Sequence, residues 1–129
     1  SNIEKNIVFA GWKSGDELHE YYKNNNIFIL PSWSEGLPNA AIEAMAAGLA
    51  VVTTKVGTIP EVFTDHENSI LIEPYSELEI YESLERLICD YKLRIEISKK
   101  GHQFAKDNFS EKKVLKFLDQ AIREIIKKE

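Results

Sequence analysis

The chain has 129 residues, 43% of them hydrophobic, with a formal net charge of −5 and one cysteine. This suits a single domain with an ordinary core, and no apolar run approaches the roughly 20 residues that span a bilayer. The acidic balance argues against a nucleic-acid surface, which needs a clustered basic patch.

The polar start, SNIEKN, lacks the apolar segment of a signal peptide. A lone cysteine forms no internal disulfide, which points to a reducing, cytoplasmic setting. Beside Leu87, Ile88 and Tyr91, Cys89 reads as a buried, inert thiol.

In chain order, Ile7-Val8-Phe9 is a candidate strand closed by Gly11. Residues 14–24 read as a helix, because Ser14 and Glu17 have capping-box spacing and Asn24-Asn25-Asn26 stops the pattern. Ile27–Leu30 is a continuous apolar run, as expected for a strand covered on both faces. A turn-rich loop over residues 31–38 leads into an alanine-rich helix over 39–47, stopped by Gly48. Ala50-Val51-Val52-Thr53 is the next buried strand. Thr58 and Glu61 repeat the capping-box spacing over a short helix carrying Pro60, and residues 69–72 form a further strand. Three helices complete the chain: residues 76–91, then 93–107 with Gly101 as a breaking point, then 111–128. The last carries an apolar stripe of Val114, Phe117, Leu118, Ala121, Ile122 and Ile125. Repeats and low-complexity segments are absent.

Strands alternating with helices imply one α/β domain, a parallel Rossmann-like sheet with helices on both faces. Ligands bind such sheets at the carboxyl ends of the strands, so the loop after Ile27–Leu30 is the first candidate site. It holds Glu35-Gly36-Leu37-Pro38-Asn39. Gly36 lets a ligand approach the backbone, and the amides opening the next helix suit an anion such as a diphosphate. Glu35 stands beside that position. Glu43 follows about one turn into a helix with alanines at 40, 41, 44, 46 and 47. Two carboxylates near a phosphate site repel it, unless each binds sugar hydroxyls on either side of the diphosphate through charge-assisted bonds. A metal would be another solution, but no Asp/His cluster accompanies them.

The ordered string from Glu35 through Gly48, with Val51-Val52-Thr53-Thr54 and Val56-Gly57-Thr58-Ile59-Pro60-Glu61 after it, resembles the large retaining GT-B glycosyltransferase family. Glu35 and Glu43 match the family's Glu-x7-Glu motif. Val8-Phe9-Ala10-Gly11, Ile29-Leu30-Pro31-Ser32, residues 68–73 and Asn108-Phe109-Ser110 extend the resemblance over nearly the whole chain. The resemblance implies transfer of a sugar from a nucleotide-diphosphate donor to an acceptor, such as a surface polysaccharide or glycolipid. Glu35 would be the catalytic residue, binding hydroxyls of the transferred sugar. The amides of Gly36, Leu37 and Asn39 would line sugar and diphosphate, and Glu43 would bind ribose. No metal or other cofactor is implied.

The sequence departs from the family pattern at Thr58, commonly Gly, where Thr58 is read as a helix cap, and at Ala50, commonly Pro. The family's upstream Arg and Lys, and its N-terminal acceptor-binding domain, have no counterpart. The chain therefore reads as a partial donor-binding domain, expected to have no transferase activity alone. Acceptor binding, saccharide or lipid, and any peripheral membrane contact would belong to a longer protein. The strand that flanks Ile27–Leu30 in the family is missing too. Residues 7–9 are expected to move in beside it, or another copy of the chain to cover that edge, making a homo-oligomer.

Plainer readings apply elsewhere. Trp12 reads as a packed aromatic before a base-pocket wall, and Glu61 as a cap before a ligand. Thr54 and Lys55 read as strand-end residues before donor contacts. His19, His66 and His102 share no metal spacing, and Ser32 and Ser34 lack a partnered histidine. Two rivals remain: a non-catalytic nucleotide- or partner-binding module on the same scaffold, and a GT-B epimerase or phosphorylase.

Overall fold

The computed structural model describes residues 2–127, leaving aside the side chains of residues 2, 113, 114, 116 and 117. After a 3-10 turn over Asn2–Asn6, the elements run α1 (Gly15–Lys23), β1 (Ile27–Leu30), α2 (Asn39–Ala46), β2 (Ala50–Thr54), α3 (Ile59–Val62), β3 (Ile70–Ile72), α4 (Glu77–Cys89), α5 (Tyr91–Phe109) and α6 (Glu111–Lys127). The sheet order is β1-β2-β3, with both pairings parallel.

Alternation along the strands makes two cores. Phe28, Leu30, Val51 and Leu71 point to one face, where they meet Tyr22 of α1, Ala41, Ile42 and Met45 of α2, Ile59 of α3 and Ala105 of α5. Ile27, Ile29, Ala50, Val52, Ile70 and Ile72 point to the other, against Ile80 and Leu87 of α4 and Leu93 and Ile97 of α5. Helices on both faces make the fold Rossmann-like α/β. The long α5 serves both cores from its two halves and runs unbroken through Gly101. A Cβ there would lie 2.9 Å from the Asn68 carbonyl oxygen, so this glycine permits close packing rather than breaking the helix.

Several expectations fail on contact with the fold. Residues 7–9 form no strand. Ile7, Val8 and Phe9 run as exposed coil, Phe9 at 96% of full exposure, because a strand requires a ladder partner and no described strand lies alongside. They do not pair with β1, whose outer edge meets no described strand. Ser14 precedes α1, but its side chain makes no cap bond. Ser76 does cap its helix, accepting from the Glu79 amide at 3.2 Å. Cys89 is exposed, not buried: at the last residue of α4 it lies off the stripe that buries Leu87. In α6, Leu118, Ile122 and Ile125 are exposed and Ala121 is half-buried, while the stripe's Val114 and Phe117 lie outside the described side chains. Lys128 lies outside the described residues. No described helix is long and apolar enough to cross a membrane.

Candidate functional site

The loop between β1 and α2 has little regular hydrogen bonding of its own, and threonines of the neighbouring segment hold it. β1 and β2 are parallel neighbours, so their carboxyl ends lie side by side. Thr53 Oγ1 donates to the Leu30 carbonyl at 3.0 Å, and Thr54 Oγ1 donates to that of Ser32 at 2.6 Å. Thr58 Oγ1 donates to the Gly36 carbonyl at 2.7 Å. Thr58 was expected to cap α3, but its side chain makes no cap bond: its backbone is helical (φ −83°, ψ −6°) rather than extended as an N-cap residue's is, and its hydroxyl turns to the loop.

Gly57 completes this clamp. Its φ is +56°, and a Cβ at this position would lie 2.0 Å from the Glu35 carbonyl oxygen. That contact is backbone on backbone, so no side-chain rotation relieves it. Only glycine lets the two segments meet here.

Glu35 is half-buried, and Ser32 Oγ donates to its Oε1 at 2.6 Å. Oε2 is left to accept from other groups. The amides of Gly36 and Leu37 find no acceptor among the described residues. Asn39 differs: its amide donates to the Leu37 carbonyl at 2.9 Å, closing a tight turn about Pro38 at φ −81° and ψ 70°. Glu43 is exposed on α2, and the Tyr22 hydroxyl donates to its Oε2 at 3.5 Å. Burial, then the nearby Glu43 charge, push the Tyr22 hydroxyl above its ordinary pKa.

The loop and the start of α2 therefore form a strip with a carboxylate near each end. Anion-ready amides lie between, at the carboxyl end of a parallel sheet. Beside Tyr22, a cavity of about 350 Å³ is lined by Gly11, Trp12, Lys13, Tyr22 and Phe28 among others, which places the highly exposed Trp12 on the Glu43 side. Thr54 is buried, with its hydroxyl committed to Ser32. Lys55 pairs with Glu73 at 3.0 Å, and that hydrogen bond raises the pKa of the lysine. His66 contacts Asp65 and Arg86, and His102 Nδ1 donates to the Ala46 carbonyl. Among the described residues, no three His, Cys, Asp or Glu side chains group as a metal ion would need. Nothing in the sequence marks Tyr22 or Gly57 as partners of the motif, because they lie 21 and 22 residues from Glu43 and Glu35. Ser32, three residues before Glu35, offers a local spacing that only the loop's path gives meaning.

A family model described as "Glycosyl transferases group 1" matches residues 1–104. The uncharacterized glycosyltransferase MJ1178 of Methanocaldococcus jannaschii is 32% identical over 114 residues, covering 88% of this chain and 32% of that protein. The capsular polysaccharide biosynthesis glycosyltransferase CapM of Staphylococcus aureus is 30% identical over 107 residues, covering 83% of this chain and 28% of that protein. The chain thus spans about a third of the length of these relatives. Among solved structures, Anabaena Alr3699/HepE in complex with UDP superposes with a TM-score of 0.83 at 20% identity, over 98% of this chain and 34% of that one. At that identity the likeness is one of fold.

Proposed function

This chain belongs to the glycosyl transferases group 1 family, and we propose that it supplies the donor-binding part of a retaining, hexosyl-transferring enzyme. The donor is a nucleotide-diphosphate sugar, and the acceptor is a saccharide or lipid of the polysaccharide or glycolipid class. CapM, named for capsular polysaccharide biosynthesis, and HepE, solved with UDP, are the relatives and neighbours that support this choice.

The observation that carries the reading is the clamped strip from Ser32 to Glu43. Glu35, positioned by Ser32, accepts hydroxyls of the transferred sugar. The unengaged amides of Gly36 and Leu37, at the positive end of α2, meet the diphosphate. The Asn39 amide joins them only if its turn with Leu37 opens. Glu43, oriented by Tyr22, accepts the ribose hydroxyls. Charge on the diphosphate is met by oriented amides, without a metal. Catalysis in this part is positioning and electrostatic preorganisation.

Calorimetric titration with UDP, GDP and ADP tests the reading. At least one diphosphate binds, and Glu43→Ala weakens it by about ten- to a hundredfold, the loss of a charge-assisted hydrogen bond worth ~1.5–3 kcal/mol. Equal affinity in the variant would remove Glu43 from the ribose.

A further inference from the structure

Trp33 and Tyr75 are the least explained side chains near this strip. Trp33 follows β1 and Tyr75 follows β3, and β2 lies between those strands. The two loops therefore reach across the carboxyl end of β2 to meet. The rings stack 5.2 Å apart between centroids, tilted by 34°. Both stay open to solvent, Trp33 at 71% and Tyr75 at 75% of full exposure, so the contact hides little apolar surface. Tyr75 is held at φ +64°, a left-handed conformation unfavourable for a bulky side chain. Burial does not account for this arrangement, whereas presentation of two aromatic faces does.

We propose that Trp33 and Tyr75 form a stacking platform for a pyranose ring at the sugar end of the site. An aromatic face is negative, and the C–H bonds on one side of a pyranose present a weakly positive, apolar surface to it. Hydroxyls at the rim of the same ring need acceptors, and Glu35 lies two residues from Trp33. A nucleobase also stacks, but the ribose position at Glu43 and Tyr22 puts the base beyond the other end of the strip. The platform rests on the proposed donor-binding reading for its orientation. The ring is that of the donor's sugar or of a saccharide acceptor.

The indole N–H signals of Trp12 and Trp33 in the ¹⁵N-labelled chain report this directly, with Trp33→Phe assigning them. Titration with methyl α-D-glucopyranoside and methyl α-D-galactopyranoside is expected to move the Trp33 signal saturably for at least one. Followed by the backbone amide signals of residues 32–37, Trp33→Leu and Tyr75→Ala weaken that binding about three- to tenfold, whereas Trp33→Phe and Tyr75→Phe, which keep a ring, stay near the original. UDP affinity by calorimetry is unchanged in Trp33→Leu. A larger Trp33 shift with UDP-glucose than with UDP assigns the ring to the donor; a further shift on adding pyranoside to saturating UDP-glucose assigns it to an acceptor. Pyranoside binding that survives Trp33→Leu, or no saturable Trp33 shift with either pyranoside, overturns the platform. A fall in UDP affinity in Trp33→Leu with pyranoside binding intact also overturns it, as a base-stacking role. If no nucleoside diphosphate binds and the pyranosides still do, the donor-binding reading fails and the platform stands.

Discussion

At Glu35, one carboxylate oxygen takes the Ser32 hydroxyl at 2.6 Å and the other is left for a ligand. Glutamine keeps the shape and an acceptor for Ser32, but replaces the second oxygen with a donor and removes the charge. On the proposed donor-binding reading, Glu35→Gln is therefore expected to lower kcat of an active transferase containing this chain at least about tenfold, some 1.4 kcal/mol of transition-state stabilisation, with UDP affinity nearly unchanged. Steady-state kinetics beside calorimetry checks this, and normal turnover at saturation with weakened nucleotide binding would place Glu35 on the wrong half of the donor. Glu35 and Glu43 were legible as candidates because their motif is contiguous. Their partners Ser32 and Tyr22 were not, since a side chain's neighbours depend on where the loop and α1 travel in space.

Among the elements, the turn between β2 and α3 decides the shape of the site while contributing no group to it. Its contacts are the Thr58 hydroxyl on Gly36 and the bare Cα of Gly57 against Glu35. Gly57→Ala forces two backbones apart at a left-handed position, so the Glu35 loop must shift. The expected result is a stability loss of about 1–3 kcal/mol, with kcat falling further than thermal unfolding explains. Melting curves and turnover measured together show this, and an active variant with an unchanged melt would mean that the loop is not clamped. The capping-box spacing at Thr58 and Glu61 was misleading for a physical reason. A capping side chain accepts the helix amide from an extended backbone, whereas Thr58 is already helical and donates its hydroxyl to the Gly36 carbonyl, which is invisible in the local sequence.

The whole molecule exposes 9523 Å², against about 7,000 Å² for a compact folded monomer of this size. Residues 7–9 and Leu115, Leu118, Ile122, Ile125 and Ile126 of α6 are exposed, and β1 is an edge strand of the sheet. Ile27-Phe28-Ile29-Leu30 carries neither charge nor proline to discourage pairing along that edge. By itself in solution, the chain is expected to self-associate through β1. Sedimentation velocity should show a concentration-dependent species above monomer. A strict monomer across the micromolar range would refute the association.

Local sequence determined what local physics controls. Apolar runs of four or five residues became β1 and β2, the alanine-rich segment became α2, and strand-helix alternation made the sheet parallel. The contiguous Glu35–Gly48 string also carried the family resemblance. Tertiary structure alone decided the remainder. Residues 7–9 are coil because no described strand lies beside them. α5 continues through Gly101 because a neighbouring carbonyl needs the space. Cys89 faces water because α4 turns Leu87 inward instead, and the Trp33–Tyr75 pair meets only because two loops cross the end of β2. Periodicity and capping act over three or four residues, whereas these contacts join segments that folding brings together from farther along the chain.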